Sequence, residues 1–186
     1  MSRSWLFSVS EMVALLRQLL MPSEICQSVE HINIDQLQAK GIKTLLIDID
    51  NTLLTYSETQ VGLQKVNWIQ MVKSMGFEII LVTNNSRVRR VRRVCQQLEL
   101  PGVCFALKPF TWSVREFCRV YQVSLSECAV IGDQMFTDII FGNWIRAHSI
   151  LVDPLDKRLS FVKTVQREIE LFLIKKLKHK RSSYAL

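Results

Sequence analysis

The sequence predicts an α/β protein built on a doubly wound parallel sheet. Short apolar segments alternate with amphipathic helical segments between residues 44 and 152, an order typical of parallel sheets with helices on both faces. The 186 residues include only six Gly and four Pro, which disfavours a turn-rich all-β fold. We therefore predict one domain over residues 1–186, with its central unit at about 43–152.

The N-terminal part of the chain begins with an amphipathic segment. Apolar residues recur at helical spacing over 5–20, which predicts a helix that Pro22 ends. Residues 23–42 show no clear period, so we predict an irregular segment with a short helix near 35–39. A buried strand over 44–47 follows, because this segment is short and apolar and directly precedes an acidic motif.

The rest of the chain repeats the order helix, then strand. Each predicted helix has apolar residues at helical spacing, and each predicted strand is a short, mostly apolar run. In chain order we predict helix 62–75, strand 78–82, helix 86–98, strand 103–106, helix 111–121, strand 128–131, helix 135–146, strand 149–152 and a basic helix at about 158–178.

Positive charge is concentrated at the C-terminus. The net charge is +7, and residues 157–181 hold nine Lys or Arg against two Glu, so all of the excess lies there. Apolar residues recur between these charges at helical spacing, which is typical of a helix at an anionic membrane surface. The alternative is that the apolar stripe packs on the domain and only the basic end projects. A second basic cluster, residues 87–93, predicts a helix with an arginine face.

No apolar run reaches the roughly 18–20 residues of a membrane-spanning helix. The nearest, residues 5–21, contains Glu11 and Arg17 and precedes no small-residue cleavage site, so we expect no secretory signal. Arg3, Arg17 and several serines favour a mitochondrial presequence, whereas Glu11 opposes one. We expect a cytoplasmic protein, peripheral on the inner face of the membrane, with a mitochondrial or plastid location as the lesser alternative.

Polar residues suited to phosphate chemistry follow the predicted strands. In a doubly wound sheet, the functional site lies where the carboxyl ends of the strands meet. Each residue has an ordinary alternative as a cap, a turn or a solvated side chain, and it is their shared position that favours a site. Carboxylates bind Mg²⁺, and lysine or hydroxyl donors bind phosphate oxygens, so the set predicts phosphoryl transfer. The candidate residues are Asp48, Asp50, Thr83, Asn84, Lys108, Asp133 and Asp138.

Four motifs in this region resemble those of the haloacid dehalogenase (HAD) superfamily of phosphatases. They stand here as DIDNTL, VTNN, LKP and GDQMFTD, within residues 43–152. The longer stretches QAKGIKTLLIDIDNTL and VIGDQMFTDIIFGN are most similar to the YqeG-type branch of HAD subfamily IIIA. That branch is related to mitochondrial phosphatidylglycerophosphatase. The resemblance implies hydrolysis of a phosphomonoester through an aspartyl-phosphate.

The resemblance also implies the roles of the acidic residues. Asp48 would be the nucleophile that attacks phosphorus. Asp50 would protonate the leaving oxygen and later deprotonate the attacking water, a division of labour between paired carboxylates. Mg²⁺ would bind the Asp48 carboxylate, the Asp50 backbone carbonyl and Asp133. Asp138 would support the metal site directly or through water.

The phosphate side of the implied site comes from the middle motifs. Thr83 and Lys108 would hold the transferring phosphoryl group, with Asn84 as a further phosphate neighbour. The gaps between the motifs are too short for a folded cap, which would need about 50 residues or more. A capless site is open, and it suits a substrate presented on a large surface: a protein, a nucleic-acid end or a lipid headgroup in a bilayer.

Three functions follow from these observations. We favour a Mg²⁺-dependent phosphatidylglycerophosphate phosphatase of phospholipid synthesis, with an anionic phospholipid membrane surface as its partner and a lipid phosphomonoester as its substrate. The second is a HAD phosphatase of a soluble metabolite, nucleotide or phosphoprotein. The third is a non-enzymatic RNA- or ribosome-binding module that uses residues 87–93 and the basic tail. No aromatic-rich RNA motif supports it, so we do not expect nucleic acid as a partner.

Overall fold

Six parallel strands form one sheet in the computed structural model, which describes residues 9–156. Their order across the sheet is β1-β6-β5-β2-β3-β4. This confirms the predicted doubly wound parallel sheet. The strands are β1 (Glu24–Cys26), β2 (Thr44–Ile47), β3 (Glu78–Val82), β4 (Gly102–Val103), β5 (Cys128–Gly132) and β6 (His148–Val152).

Strand β2 lies between β5 and β3, and its register fixes where the polar motif residues meet. Ile47, the last residue of β2, pairs with Leu81 of β3 and with Ile131 of β5. Because the three strands run in the same direction, their carboxyl ends open on one edge of the sheet. Residues that directly follow these strands are therefore neighbours in space.

Helices cover both faces of the sheet. Alternate strand residues point to opposite faces, so Leu45 and Ile47 enter one buried cluster and Leu46 enters the other. Buried residues of α2, α3 and α4 belong to the first cluster, and those of α5 and α6 belong to the second. The helices are α1 (Val9–Leu20), α2 (Ile34–Ala39), α3 (Leu63–Ser74), α4 (Val88–Leu98), α5 (Trp112–Val120) and α6 (Ile140–Trp144).

Two strands differ from the sequence prediction. Residues 23–42 were predicted to be irregular around a short helix, yet Glu24–Cys26 forms β1 at the sheet edge, paired with Ile150–Val152 of β6. Three residues show too little periodicity to be recognised as a strand. Conversely, the predicted strand 103–106 is reduced to Gly102–Val103, because Phe105 has a positive φ of 53° and leaves the extended conformation.

The predicted helix over 135–146 is also different in detail. Its first turn, Met135–Ile139, is π-helical, and only Ile140–Trp144 is α-helical. The wider turn places Asp138 back toward the end of β5, and π-helical turns are frequent at functional sites. Its apolar spacing alone did not distinguish the two helix types.

The terminal predictions fall partly or wholly outside the described residues. The sheet and its helices belong to one compact unit over residues 22–158, whereas α1 belongs to a second unit. The predicted helix 5–20 is observed from Val9 to Leu20. The predicted basic helix at about 158–178 lies outside the described residues, and the single domain over 1–186 stays a prediction. Within residues 9–156, no helix combines the length and apolar character needed to cross a bilayer.

Candidate active site

The carboxyl ends of β2, β3 and β5 carry most of the predicted site residues. Asp48 extends β2, and its N–H donates to the Ile131 carbonyl of β5 at 2.9 Å. Thr83 follows β3, and its N–H donates to the Val103 carbonyl at 3.0 Å. Asp133 directly follows β5. The parallel register therefore assembles one polar edge from segments that are distant in sequence.

Three buried carboxylates, those of Asp48, Asp133 and Asp138, form an acidic cluster at this edge. One oxygen atom from each lies within 4.8 Å of the other two. Asp133 Oδ1 is buried and has no hydrogen-bond partner among the described residues, and such an atom is costly to leave unpaired. Several carboxylate oxygens together are the donors that a hard divalent cation prefers. The residues present therefore fit a divalent metal site.

Lys108 is a buried cation placed against the acidic cluster. Its ammonium donates to Asp48 Oδ1 at 2.7 Å, to Asp138 Oδ1 at 2.5 Å and to the Val82 carbonyl at 2.7 Å. Burial lowers the pKa of Lys108, but the carboxylates of Asp138 and Asp48 outweigh burial and raise this pKa above its usual range. The lysine therefore stays charged, and it offsets part of the negative charge of the cluster.

Asn84 positions Lys108 through its backbone. The Asn84 side-chain amide donates to the Lys108 carbonyl at 2.8 Å, and its Oδ1 accepts from the Lys108 N–H at 2.7 Å. Both polar ends of the Asn84 side chain thus bind the segment that delivers Lys108. The contact of Asn84 with phosphate stays a prediction, and the structure adds a positioning role that the motif did not indicate.

Asp50 lies beside the acidic cluster among three side-chain donors. Arg90 Nη1 donates to Asp50 Oδ1 at 2.5 Å, while Thr83 Oγ1 and Asn85 Nδ2 donate to Oδ2 at 3.2 and 3.0 Å. The Asn85 N–H donates in turn to Thr83 Oγ1 at 3.0 Å. The Asp50 carboxylate is therefore oriented from two sides, and the binding of metal by its backbone carbonyl stays a prediction.

Arg90 also binds the segment that connects β2 to α3. Its Nη2 donates to the Thr55 carbonyl at 2.8 Å, and its Nε donates to the Glu58 carbonyl at 3.3 Å. Farther along α4, the Gln97 side chain exchanges two hydrogen bonds of 2.8 Å with the Val61 backbone. Helix α4 therefore holds residues 55–61 in place next to Asp50.

Tyr56 belongs to this connecting segment and lies near the acidic residues. Burial, together with the negative charges of Asp133, Asp48 and Asp50, raises the pKa of its hydroxyl, and a hydrogen bond with the Gln134 side chain opposes the shift. The phenol therefore stays neutral beside the site. It can donate a hydrogen bond but does not add to the negative charge.

Burial also controls the protonation of the cluster carboxyls. It raises the pKa of Asp48 from 3.8 to about 7; the charges of Asp138 and Asp50 add to this shift, and Lys108 opposes it. Burial likewise raises the pKa of Asp133 from 3.8 to about 8, with the charges of Asp48 and Asp138 adding to it. The cluster is thus short of positive charge, which a bound divalent cation would supply.

Gly132 makes room for Asp138. A Cβ atom at position 132 would lie 2.3 Å from Asp138 Cγ, much closer than non-bonded atoms approach. Asp138 Oδ2 also accepts a hydrogen bond of 3.1 Å from the Gln134 N–H. The glycine and the π-helical turn therefore act together to place this carboxylate at the end of β5.

All seven predicted site residues lie on this edge, but sequence reasoning missed three of their neighbours. Asn85 stands in the VTNN motif and could have been included with Asn84. Arg90 was predicted only as part of a surface arginine face, because helical spacing does not show which arginine points to the site. Tyr56 carried no signal beyond its closeness to the acidic motif.

The sequence model of a family described as "Mitochondrial PGP phosphatase" matches residues 6–155. The chain belongs to this family. It is a HAD-superfamily phosphatase, a phosphoric monoester hydrolase, as the motifs predicted.

Two proteins similar to this member of the PGP phosphatase family are named as phosphatases. "Probable phosphatase YqeG" of Bacillus subtilis (strain 168) is 29% identical over 166 residues, which cover 89% of this chain and 96% of the relative. "Phosphatidylglycerophosphate phosphatase 1, chloroplastic/mitochondrial" of Arabidopsis thaliana is 23% identical over 169 residues, which cover 86% of this chain. The match covers 49% of the Arabidopsis protein, so the chain spans about half of that relative's length.

The fold has counterparts among solved structures. The crystal structure of an uncharacterized protein from Listeria monocytogenes serotype 4b has a TM-score of 0.53 and 17% sequence identity. The match covers 74% of this chain and 99% of the Listeria chain. At this level of identity the likeness shows a shared fold.

Proposed function

We propose that this phosphatase hydrolyses phosphatidylglycerophosphate at an anionic phospholipid membrane surface, with Mg²⁺ as its cofactor and Asp48 as its nucleophile. The observation that carries the chemistry is the buried cluster of Asp48, Asp133 and Asp138, with the Lys108 ammonium beside it and one carboxylate oxygen unpaired. Membership of the PGP phosphatase family and the name of the Arabidopsis relative support the choice of substrate.

The first step forms a bond between a carboxylate oxygen of Asp48 and the phosphorus atom of the substrate. As this bond forms, the bond from phosphorus to the glycerol oxygen breaks, and Asp50 gives its proton to that oxygen. The products of this step are phosphatidylglycerol and an aspartyl-phosphate on Asp48. The bonds from Arg90, Thr83 and Asn85 hold the Asp50 carboxylate in one orientation for this transfer.

The second step regenerates the enzyme. Asp50, now a carboxylate, takes a proton from a water molecule whose oxygen attacks the phosphorus of the aspartyl-phosphate. The bond to Asp48 breaks, and inorganic phosphate leaves. Lys108 and Thr83 would bind the phosphoryl oxygens in both steps, where fixed donors stabilise the charge of the transition state.

The metal would be held by the side chains of Asp48 and Asp133, with the backbone carbonyl of Asp50 and with Asp138 directly or through water. All of these donors are oxygen atoms, which suits Mg²⁺ better than a softer metal. When bound, Mg²⁺ would neutralise charge on the cluster and on the phosphoryl oxygens.

The proposed membrane setting follows from the absence of a folded cap and from the distribution of charge. The β2–α3 connection, residues 48–62, contains no domain of its own, so the chain between these two elements adds only a short segment beside the acidic edge. The net charge of +7 lies in residues 157–181, outside the described part of the chain. A basic segment is attracted to an anionic leaflet, where a lipid phosphomonoester is also found.

Phosphate release from two kinds of substrate tests the proposal. The full chain is assayed with Mg²⁺ on phosphatidylglycerophosphate in vesicles of phosphatidylglycerol and on a panel of soluble phosphomonoesters, including nucleotides and a phosphopeptide. We expect faster release from the lipid, loss of activity in EDTA and recovery with Mg²⁺. Preference for a soluble phosphomonoester would contradict the lipid assignment, and full activity in EDTA would contradict the metal requirement.

An Asp48→Asn variant identifies the nucleophile in the same assay. The amide keeps the shape of the side chain but cannot attack phosphorus, so we expect turnover to disappear while the fold remains. Asp50→Asn is the matched comparison, and we expect it to slow the reaction about 10²–10⁴-fold by removing the acid and base. Activity of the Asp48 variant above about a tenth of the parent value would exclude the aspartyl-phosphate on Asp48.

A further inference from the structure

Three large aromatic side chains project from the segment that delivers Lys108 to the active site. Phe105, Phe110 and Trp112 are 57%, 62% and 65% exposed. Single exposed apolar residues are ordinary on protein surfaces, whereas a concentration of large ones marks an interaction site. We call residues 105–112 the aromatic segment.

The aromatic segment is fastened to the edge of the sheet where the acidic cluster lies. The Ala106 N–H donates to the Thr83 carbonyl at 2.9 Å, and the Phe105 N–H donates to the Asn85 carbonyl at 3.2 Å. Asn84 binds the Lys108 backbone through both ends of its side chain. The aromatic side chains are therefore carried by the rim of the active site.

Basic side chains lie next to this rim. The Asn85 carbonyl accepts from Phe105, and Asn85 Oδ1 accepts from the Arg87 N–H at 2.8 Å, so the start of α4 adjoins the aromatic segment. Arg87 and Arg89 are exposed, and the first turn of α4 contains no acidic residue. Arg90 of the same turn is engaged with Asp50. The exposed guanidinium groups of Arg87 and Arg89 and the exposed aromatic rings thus lie along one edge of the sheet.

We propose that the aromatic segment and the start of α4 form a docking edge that seats the active site on an anionic phospholipid bilayer, an inference that rests on the proposed lipid substrate. Phe105, Phe110 and Trp112 enter the interfacial layer, where aromatic side chains are favoured, and Arg87 and Arg89 face lipid phosphates. Lys108 then lies between inserted residues, within reach of a phosphate group at the headgroup level. The residues of this edge lie between positions 87 and 112 of the sequence, whereas the basic C-terminal segment is residues 157–181.

The combination of groups favours a bilayer over other large partners. A protein interface would bury such aromatic rings in a shaped surface, and single-stranded nucleic acid would stack bases on them. A bilayer requires neither a shaped protein surface nor stacked bases. Its interfacial layer accommodates aromatic rings and arginine side chains at the same depth, and its anionic headgroups are complementary to the positive charge of α4. A lipid phosphate can also reach a buried lysine only if the rim of the site meets the headgroups.

Vesicle binding by matched variants tests the docking edge. One variant replaces Phe105, Phe110 and Trp112 by Ser. The control replaces Met71, Val120 and Tyr121 by Ser. These residues are 46%, 61% and 61% exposed, and they lie near the C-terminal ends of α3 and α5, whereas Trp112 lies at the N-terminal end of α5. Binding of the full chain to vesicles of phosphatidylglycerol and phosphatidylcholine is measured by co-sedimentation, without substrate.

We expect the rim variant to bind these vesicles at least about tenfold more weakly than the parent, because each inserted aromatic side chain contributes apolar transfer free energy. The control variant should bind like the parent. Hydrolysis of p-nitrophenyl phosphate and the thermal midpoint show that both variants are folded. Equal binding by the rim variant and the parent, or no binding by the parent, would overturn the docking edge. The absence of parent binding would direct attention to a phosphoprotein or nucleic-acid substrate.

Fluorescence quenching by brominated lipid acyl chains locates the contact in one residue. The bilayer should quench tryptophan emission of the parent, and Trp112→Phe should remove part of this quenching while binding persists. The basic C-terminal segment contains no tryptophan, so it cannot produce this difference. Quenching that is identical in the parent and in Trp112→Phe would refute insertion of the aromatic segment.

Failure of the docking edge is distinguishable from failure of the proposed substrate. If the parent hydrolyses phosphatidylglycerophosphate and the rim variant does so equally well in vesicles, the substrate stands and the docking edge is wrong. If Trp112 is quenched but the lipid phosphate is not hydrolysed, the docking edge stands and the substrate is wrong.

Discussion

At the scale of single residues, the free-energy cost of burying negative charge controls the protonation of the acidic cluster. Asp48 and Asp133 lie where burial and neighbouring carboxylates raise their pKa values to about 7 and about 8. A carboxyl whose pKa is raised by folding binds its proton more tightly in the folded state. The metal-free protein is therefore most stable when these groups are protonated. The proposed reaction needs Asp48 and Asp133 in their ionised form, which is the less stable form when no cation is bound.

The pH dependence of stability tests this conclusion. The folded pKa of Asp133 is about 8 and its ordinary value is 3.8, so its contribution is fully present below about pH 4 and is lost as the pH rises through 8. In EDTA, we expect the thermal midpoint of the parent to fall between pH 5 and pH 8.5. The Asp133→Asn variant, which has no proton to lose at this position, should fall by less.

Addition of Mg²⁺ provides the matching control. Because the cation binds ionised carboxylates, it should raise the midpoint of the parent more at pH 8 than at pH 6, and should raise that of Asp133→Asn little at either pH. A midpoint for the parent that rises with pH in EDTA, or that changes in parallel with the variant, would show that Asp133 does not titrate as described.

Arg90 is a positioning residue for Asp50. It donates to Asp50 Oδ1 at 2.5 Å and to the Thr55 carbonyl at 2.8 Å, so its loss would free both the carboxylate and the connecting segment. In the proposed mechanism an alkyl leaving group takes a proton from Asp50, whereas p-nitrophenolate departs without one. We expect Arg90→Gln to lower kcat/KM for an alkyl phosphate at least about tenfold more than for p-nitrophenyl phosphate, within the range that acid catalysis supplies.

Two further variants complete this comparison. Arg90→Lys keeps the charge but not the forked geometry, so it should restore only part of the loss for the alkyl phosphate. Arg92→Gln removes an exposed arginine from the same helix and should behave like the parent. An equal loss for both substrates in Arg90→Gln would indicate general damage to the site rather than misplacement of Asp50.

At the scale of secondary-structure elements, close contact between the end of β5 and the π-helical turn shapes the part of the site that contains Asp133 and Asp138. The missing Cβ of Gly132 leaves the space that Asp138 fills. We expect Gly132→Ala to destabilise the protein by about 1–3 kcal/mol, as overpacking of a filled region does, and to reduce phosphatase activity by displacing Asp138. Chemical denaturation and phosphate release measure the two effects.

Gly62 provides the matched control for this substitution. A Cβ at Gly62 meets no atom within 4 Å, and its φ of −64° suits any residue, so Gly62→Ala should leave stability and activity close to parent values. A Gly132→Ala variant as stable and active as Gly62→Ala would show that Asp138 is not held where the structure places it.

At the scale of the whole molecule, charge is divided between residues 1–156, which have no net charge, and a basic C-terminal segment. Residues 157–181 hold the whole net charge, and each basic residue near an anionic bilayer contributes on the order of 1 kcal/mol. We expect replacement of Lys175, Lys176, Lys178, Lys180 and Arg181 by Gln to release the protein from phosphatidylglycerol vesicles at physiological salt. Co-sedimentation measures the effect, with neutral vesicles as the control.

The same variant should still hydrolyse a small soluble phosphomonoester, because Asp48 and its neighbours belong to the sheet. Binding to anionic vesicles that is unchanged by the five substitutions would show that this segment only contributes solubility. The docking edge would then carry the attachment alone, and the salt dependence of vesicle binding should come from Arg87 and Arg89.

The sequence by itself determined the parallel sheet, the order of its strands and helices between residues 44 and 152, and the position of the seven candidate site residues at one edge of the sheet. The physical reason is that these features depend on local patterns. Apolar residues follow the period of the element that buries them, and parallel strands bring their carboxyl ends to one edge. The polar residues after β2, β3 and β5 could therefore be placed together without coordinates. The short edge strand Glu24–Cys26 had no such pattern and was missed.

Only the tertiary structure decided which side chains meet at that edge. Arginines 87–93 share one helical pattern, yet Arg90 alone among them bonds to Asp50, because the placement of α4 in the fold brings that side chain to the acidic edge. The phosphate contact of Asn84 stays a prediction, and the structure adds that its side chain holds the Lys108 backbone. The aromatic segment leaves the predicted strand and carries its rings to the rim. Such contacts depend on distances between elements, which burial, packing and charge settle only when the whole chain is folded.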